Sequence, residues 1–197
     1  MRLLLIADEE DPYLWDYYRP GNIDGADLIL SAGDLKANYL SFLVTMANRP
    51  LLYVHGNHDG SYDRTPPEGC ECIDDRLVNI NGLRILGLGG CPRYNSGPWQ
   101  FSERQMLRRI NRLYFKIQRA GGVDVVLTHA PAAGYGDEDN VAHRGFEAFL
   151  PLLDHWKPRY LIHGHVHKRY GPSRQRILQY GDTTIINASG KYYLDLP

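Results

Sequence analysis

The stretch Val54-His55-Gly56-Asn57-His58-Asp59-Gly60 follows a short apolar run and turns abruptly polar. The run that leads into it, residues 51–54, is typical of a buried β-strand. Ligands of open α/β sheets bind beyond the carboxyl ends of the strands, so this segment is placed where a binding site forms. A histidine beside an aspartate also suggests an imidazole whose tautomer is fixed by a carboxylate. Alone, the stretch is equally compatible with a solvated Gly/Asn turn.

The composition is that of an ordinary globular domain. The chain has 197 residues, of which 43% are hydrophobic and 23% charged, and its formal net charge is −1. We therefore expect one domain over residues 1–197, with no general basic bias towards nucleic acid or anionic membranes. No stretch approaches the roughly 20 apolar residues that a membrane helix needs, and acids interrupt the first apolar run too early for a signal peptide. These features predict a cytoplasmic protein without a dedicated nucleic-acid-binding region.

The three cysteines, Cys70, Cys72 and Cys91, do not predict a disulfide framework. An odd number of cysteines without an export signal is typical of a reducing compartment. The sequence Cys70-Glu71-Cys72 does not have zinc-knuckle spacing and has no second pair. We therefore expect the cysteines to be structural or incidental.

Hydrophobic periodicity predicts strands and helices that alternate along the first half of the chain, which favours parallel pairing. Asn81-Gly82 and Gly181-Asp182 each indicate a hairpin turn. Ser102 with Gln105 indicates a capping box at the start of the longest helix. The segment 60–75 is predicted to be an irregular surface loop. The expected strands are residues 3–7, 26–31, 51–54, 76–80, 83–88, 123–128, 160–163 and two within 176–187; the expected helices are a short one from Pro12, then 38–47, 102–119 and 145–156.

Five of the predicted strands end in residues that can bind a metal. Oxygen and imidazole ligands without thiolate suit Mn, Fe, Zn, Co or Mg, and argue against a structural zinc site. The ligands are too numerous for one ion, so they predict two adjoining sites with a shared carboxylate, as in two-metal hydrolysis. The ligand candidates are Asp8 with Glu10, Asp34, Asn57 next to His58 and Asp59, His129, and His165 with His167.

These segments resemble, in order, the five sequence blocks of the calcineurin-like metallophosphoesterases. The resemblance extends from about residue 3 to residue 190. It implies a four-layer α/β/β/α sandwich, in which two mixed sheets pack face to face and helices flank them. It also implies metal-dependent hydrolysis of phosphoric esters, as a phosphomonoesterase or a phosphodiesterase.

The resemblance further implies a ligand set. Asp34 would bridge two ions, with Asp8, the residue at position 10 and His167 completing one site, and Asn57, His129 and His165 completing the other. The family's first block normally reads Asp-x-His, whereas Glu10 stands here in place of that histidine. As a hard oxygen ligand Glu10 favours Mn, Fe or Mg over Zn. Alternatively, it belongs to a solvated acidic run with its two neighbours. Two ions, Mn or Fe, are expected, and Zn, Co or Mg are also compatible.

The same resemblance implies a mechanism in which a hydroxide that bridges the metals attacks phosphorus in line. His58 would stabilise the developing charge or protonate the leaving alkoxide, and Asp59 would orient His58. Three carboxylates and a hydroxide neutralise two divalent ions, so either trivalent iron or nearby cations must hold the phosphate. Arg93, His143 and Arg144 are the candidates for substrate binding, although each is equally compatible with an ordinary surface residue.

The remaining histidines are not expected to take part in the chemistry. His55 and His163 lie within strand runs and should be packed and hydrogen-bonded, and His155 should be partly exposed near the end of a helix.

Two other functions remain open. A binding scaffold that has lost its chemistry, like the retromer subunit that resembles this family, predicts damaged catalytic blocks, whereas here only position 10 departs. A nuclease predicts an additional DNA-binding domain or a basic excess, and the chain has neither. The absence of a large cap favours an open site for nucleotide-like or protein-borne phosphate esters.

Overall fold

Strand β1 (Arg2–Ala7) is buried over five consecutive residues, so both of its faces are covered. The computed structural model describes residues 1–23, 25–167 and 175–197. The further elements in these ranges are β2 (Leu28–Ser31), α1 (Ala37–Ala47), β3 (Leu51–Tyr53), a 3-10 helix (Asp59–Asp63), β4 (Glu71–Cys72), β5 (Arg76–Ile80), β6 (Leu83–Leu88), β7 (Cys91–Pro92), β8 (Gln100–Phe101), α2 (Glu103–Arg119), β9 (Val125–Thr128), α3 (Phe149–Trp156), β10 (Tyr160–His163), β11 (Ile177–Tyr180), β12 (Thr183–Asn187) and β13 (Gly190–Asp195).

The strands form two large mixed sheets. One has the order β13-β1-β2-β3-β4 and the other the order β11-β12-β10-β9-β6-β5, while β7 and β8 form a small separate pair. Strands β1, β2 and β3 run parallel, as do β12, β10, β9 and β6. The carboxyl ends of the parallel strands of each sheet therefore meet at one edge, where ligands bind in such sheets.

Alternating side chains divide the interior into three apolar layers. Leu3 and Leu5 point between the sheets, in one cluster with Val125 and Leu127. Leu4 packs with the residues of α1 on the outer face of the first sheet. The outer face of the second sheet packs against α2 and α3. The predicted four-layer α/β/β/α sandwich is confirmed.

Both predicted hairpins are present, β5 pairing with β6 and β11 with β12 in antiparallel fashion. The predicted capping box is also present, because the side chains of Ser102 and Gln105 each accept a hydrogen bond from the other residue's main-chain amide. Such caps contribute about 1 kcal/mol to helix stability. Among the described residues no helix has the length and apolar character needed to cross a membrane.

The short helix predicted from Pro12 is wrong. Residues 12–17 form consecutive turns, and the main-chain amide of Tyr13 donates to Asp11 Oδ1 at 2.9 Å. A side-chain hydrogen bond of this kind offers the backbone an alternative to a helix. The apolar residues still pack inwards, since the Trp15 ring contacts those of Tyr39 and Phe42.

Several short elements differ from the sequence prediction. The segment expected to be an irregular loop contains β4 and the 3-10 helix, and β7, β8 and β13 were not predicted. Helix α3 begins at Phe149 rather than at residue 145. The main-chain amides of Glu147 and Ala148 are instead bound by the carboxylate of Glu103 at the start of α2.

Candidate metal centre

The candidate ligands lie in the loops that follow the carboxyl ends of β1, β2, β3, β9 and β10. They are Asp8, Asp34, Asn57, His129 and His165. Three of these residues have left-handed backbones, with φ of 63° at Asp8, 57° at Asp34 and 67° at His165. A left-handed backbone costs a non-glycine residue about 1–3 kcal/mol, and such strain concentrates at functional sites. The backbone strain therefore coincides with the predicted ligands.

The two histidines are held in defined tautomers. His129 Nδ1 donates to the carbonyl of Ala32 at 2.7 Å, and His165 Nε2 donates to the carbonyl of Ala142 at 2.7 Å. The remaining nitrogens, His129 Nε2 and His165 Nδ1, lie 3.1 Å apart. In neutral rings both of these nitrogens carry lone pairs, so their approach requires a proton or a cation between them.

Two oxygen atoms complete this cluster. Asp34 Oδ2 lies 3.3 Å and Asn57 Oδ1 lies 3.0 Å from His129 Nε2. The amide of Asn57 is oriented by Tyr94, whose hydroxyl accepts from Asn57 Nδ2 at 3.1 Å. The ligand atoms of Asp34, His129 and His165 all lie within 4.8 Å of one another. Buried oxygen and imidazole groups in this arrangement match a Mn, Fe, Zn, Co or Mg site.

The pKa values show how strongly the cluster attracts positive charge. Burial alone would raise the pKa of Asp34, but the charge and hydrogen bond of His129 and the amide of His58 hold it at about 2. Burial would lower the pKa of His129, yet Asp34 and Asp8 raise it to about 9. Burial and the charge of His129 lower the pKa of His165 to about 3. Without a metal the cluster therefore holds a proton on His129.

Asp8 provides an unsatisfied ligand beside the cluster. Its Oδ1 accepts from the main-chain amide of His165 at 2.9 Å. Its Oδ2 is buried and has no hydrogen-bond partner among the described residues. Burial raises the pKa of this carboxyl, and the charge of His129 opposes the shift. An unpaired buried carboxylate oxygen is costly and is satisfied by a cation.

His58 and Asp59 take different positions at the centre. The His58 side chain is 75% exposed, and its Nε2 lies 4.0 Å from Asp34 Oδ2. Asp59 was expected to orient that imidazole. Instead, Asp59 Oδ2 accepts from the main-chain amides of Asp34 and Gly56, at 2.9 and 2.7 Å. These two hydrogen bonds join the loop of Asp34 to the loop of Gly56, so Asp59 holds the loops together and does not position His58. Burial raises the pKa of the Asp59 carboxyl to about 6 despite these hydrogen bonds.

Of the predicted substrate-binding residues, His143 lies next to the cluster, and the two arginines lie in a cavity whose lining contains none of the candidate ligands. Arg93 and Arg144 line one cavity of about 600 Å³. Arg93 Nη2 lies 3.3 Å from Gln105 Oε1. The His143 ring centre is 5.3 Å from that of His165, and His143 Nδ1 lies 2.9 Å from Asn140 Oδ1. The structure therefore brings both arginines to the same cavity and places His143 beside a candidate ligand.

A sequence profile described as Calcineurin-like phosphoesterase matches residues 7–169, a range that contains all seven predicted metal ligands. The chain belongs to this family. Calcineurin-like phosphoesterases are in general metal-dependent hydrolases of phosphoric esters that bind divalent metals at a binuclear site, and the cluster at His129 is a candidate for that site.

Named relatives share part of this sequence. The chain is 26% identical over 200 residues to UPF0046 protein K07C11.7 of Caenorhabditis elegans, covering 85% of this chain and 63% of that protein. It is 27% identical over 124 residues to human Metallophosphoesterase domain-containing protein 1, covering 61% of this chain and 35% of that protein. The matches thus span less than two thirds of either relative. The crystal structure of TT1561 of Thermus thermophilus shares the fold, with a TM-score of 0.64, 15% identity and coverage of 96% of this chain and 89% of that chain.

Glu10 and His167 lie at the margin of the calcineurin-like site. Glu10 borders a cavity of about 380 Å³ together with Asp8, Asp34 and His58. The ammonium group of Lys36 lies 3.2 Å from Glu10 Oε2. His167 is exposed, and its Nδ1 lies 3.6 Å from Glu9 Oε1. The structure thus brings five of the seven predicted ligands close together. The other two, Glu10 and His167, lie beside them and pair with Lys36 and Glu9.

Sequence reasoning missed the groups that orient the ligands, namely Tyr94 and the carbonyls of Ala32 and Ala142. No periodicity or motif identifies them, because two are main-chain atoms and tyrosine is common throughout the chain. The expectations for the other histidines are confirmed. His55 and His163 are buried and hydrogen-bonded, and His155 is exposed at the end of α3.

Proposed function

We propose that this protein hydrolyses phosphoric monoesters or diesters with two metal ions. The observation that carries this proposal is the approach of His129 Nε2 to His165 Nδ1, at 3.1 Å, beside the Asp34 carboxylate. Asp34 would contact both ions. The ligands on one side would be Asn57, His129 and His165, and those on the other side would be Asp8, Glu10 and His167. The oxygen-rich set favours Mn or Fe.

Bound metal ions supply the Lewis acidity that lowers the pKa of water towards neutrality and offsets phosphate charge. The protein's contribution is to fix the ligands before substrate arrives. The main-chain carbonyls of Ala32 and Ala142 hold the two imidazoles, and Tyr94 holds the Asn57 amide. Partners of this kind raise ligand basicity and hold ligand orientation.

His58 is the proposed proton donor or charge stabiliser. Its exposed imidazole borders the same cavity as Asp8 and Asp34, so a substrate phosphate can reach it. The main-chain amide of His58 donates to Asp34 Oδ1 at 2.7 Å, which fixes this residue relative to the ligands. Proton transfer by a positioned side chain typically contributes about 10²–10⁴-fold to a rate.

Arg93, His143 and Arg144 are proposed to bind the substrate. The cavity of about 600 Å³ that the two arginines border has space for a leaving group of nucleotide size. Guanidinium groups hold phosphate oxygens in fixed geometry. The same cavity is also lined by five acidic residues, Glu103, Asp137, Glu138, Asp139 and Glu147, so the support for a nucleotide-like phosphate ester is the cavity's size and the two guanidinium groups. The scaffold alternative is not favoured, because the cluster at His129 and the exposed His58 are both intact.

The test is turnover of an aryl phosphate monoester and of a diaryl phosphate diester by the Mn²⁺-loaded protein. We expect Asp34→Asn to lower turnover by about 10³-fold, the loss typical of removing a charge-stabilising group, and to lose bound metal. The matched control is Asp63→Asn, at the exposed last residue of the 3-10 helix, which should keep both. Wild-type turnover and metal content in Asp34→Asn would refute the proposal.

A further inference from the structure

A second group of metal-ligating side chains lies at the ends of β3 and β4, apart from the centre described above. It consists of His55, Cys72 and Asp74, whose ligand atoms all lie within 4.8 Å of one another. His55 Nδ1 is 2.5 Å and Cys72 Sγ is 3.5 Å from Asp74 Oδ2. Cys72 Sγ is 3.7 Å from His55 Nδ1. One nitrogen, one sulfur and one oxygen therefore lie close enough together to bind a single ion.

These distances are close to those of a tetrahedral site. Zinc bonds of about 2.3 Å to sulfur and about 2.1 Å to nitrogen or oxygen place neighbouring ligand atoms about 3.4–3.6 Å apart. Both distances from Cys72 Sγ already lie near this range. Only the contact of 2.5 Å between His55 Nδ1 and Asp74 Oδ2 has to open, by about 0.9 Å, to admit an ion with these bond lengths.

The surroundings hold the three side chains in place. Asp74 Oδ1 accepts from the amide of Gly89 at 2.6 Å, and Oδ2, which faces the other two side chains, also accepts from the main-chain amide of His55 at 3.1 Å. The Trp99 indole stacks on the His55 ring with centroids 3.8 Å apart. Trp99 has a left-handed backbone with φ of 51°, which is rare for a bulky residue and strained. Cys72 remains partly exposed, so a solvent molecule can take a fourth position.

We propose that His55, Cys72 and Asp74 form a separate site for a borderline divalent ion such as Zn²⁺ or Co²⁺. The ligands are one imidazole, one thiolate and one carboxylate, with the fourth position open to water. Binding releases two protons to solvent, the one held between His55 and Asp74 and the one on the Cys72 thiol. The thiolate selects such ions over Mn²⁺ or Mg²⁺, which prefer the oxygen-rich centre. Cys72 thus has a role that the sequence alone did not indicate.

This site is positioned to act on the catalytic loop. The main-chain carbonyl of His55 accepts from the amide of Gly90 at 2.7 Å, and His55 stands two residues before Asn57. An ion on His55 therefore anchors the start of the segment that carries Asn57 and His58. The proposal does not depend on the proposed hydrolysis, since it concerns ligands that the first centre does not use.

Cobalt titration of the full chain tests this site, because a thiolate bound to Co²⁺ gives a near-ultraviolet charge-transfer band that imidazole and carboxylate do not give. We expect one such band per chain, accompanied by a change in tryptophan fluorescence from Trp99. The band should persist in Asp34→Asn, which removes a ligand of the first centre only. It should be lost in Cys72→Ser and retained in Cys70→Ser, the matched control two residues away.

Absence of the band in the wild-type chain, its retention in Cys72→Ser, or its equal loss in Cys70→Ser would each overturn the proposal. A second measurement on the wild-type chain tests the site even if the Cys72→Ser variant does not fold. In the wild-type chain, saturating Zn²⁺ should slow alkylation of Cys72 by about tenfold or more, since the bound thiolate is withdrawn from reaction. An unchanged alkylation rate would also overturn the assignment.

Discussion

His129 Nε2 and His165 Nδ1 lie 3.1 Å apart, and each ring donates through its other nitrogen to a main-chain carbonyl. Neither ring can turn its lone pair away without losing that hydrogen bond. The metal-free centre resolves the conflict with a proton on His129, which also pairs with Asp34. A metal ion at this position must displace that proton, so metal binding and pH are linked.

Metal affinity should therefore rise with pH. The pKa of His129 in the metal-free centre is about 9, so one proton leaves when metal binds at neutral pH. The pKa of His165 is about 3, so this ring contributes no proton. We expect the Mn²⁺ dissociation constant to fall by up to about tenfold per pH unit between pH 7 and 8.5, the limit set by release of one proton. Calorimetric titration across this range measures it, with His155→Gln as an unaffected control. A pH-independent affinity would contradict the assignment of His129.

The protonated His129 should also make the stability of the metal-free protein sensitive to alkaline pH. The pKa of His129 is raised from 6.5 to about 9 in the folded chain, so its contribution is fully present below pH 6.5 and is lost as pH rises through 9. The pKa difference corresponds to a loss of roughly 3 kcal/mol in unfolding free energy. Urea denaturation with a chelator at pH 6.5 and 10 measures this loss. His129→Gln should show a smaller loss, and an equal loss in both proteins would assign the effect to other groups.

His58→Ala should separate catalysis from metal binding. The imidazole is exposed above the Asp34 carboxylate, whereas the main-chain amide that supports Asp34 remains in the variant. We expect turnover to fall by about 10²–10⁴-fold while bound metal is unchanged. Metal analysis and aryl phosphate turnover measure the two effects, and His155→Ala should change neither. Full activity in His58→Ala would remove this residue from the mechanism.

The sequence located the centre because each ligand follows an apolar run that stops abruptly, and strand ends of a parallel sheet must meet. Asp34, Asn57 and His129 are predictable in this way. The partners that orient them are not, because the carbonyls of Ala32 and Ala142 carry no sequence signal. Strand β13 was missed for a related reason. Its residues are mostly half-buried, which weakens the alternation that identifies a strand.

Glu10→Ala should show whether this residue is a ligand. Its carboxylate borders the cavity of Asp8 and Asp34 but also pairs with Lys36 at 3.2 Å. We expect the variant to lose metal affinity by about tenfold or more, as when a coordinating or orienting group is removed. Lys36→Met leaves the carboxylate in place and should not weaken binding. Asp16→Ala, an exposed change of the same charge, should have no effect. Unchanged affinity in Glu10→Ala would remove Glu10 from the centre.

The loop that follows β3 can approach Asp34 closely because residue 56 is a glycine. A Cβ atom at Gly56 would lie 2.0 Å from Asp34 Oδ1 and 2.7 Å from the Asp34 amide nitrogen, so Gly56→Ala must displace the carboxylate. Because that carboxylate is a proposed ligand of both ions, we expect metal affinity to fall by at least about tenfold. The free energy of unfolding should fall by about 2 kcal/mol, the size of a severe buried clash.

The matched control is Gly82→Ala in the first hairpin turn, where an added Cβ meets no atom within 4 Å. The backbone there has a φ of 91°, so the variant should lose about 1 kcal/mol of stability from strain while metal affinity stays unchanged. Equilibrium denaturation and Mn²⁺ titration of both variants separate the two effects. If Gly56→Ala bound Mn²⁺ as tightly as the wild type, the position of the Asp34 carboxylate against this loop would not be required for the centre.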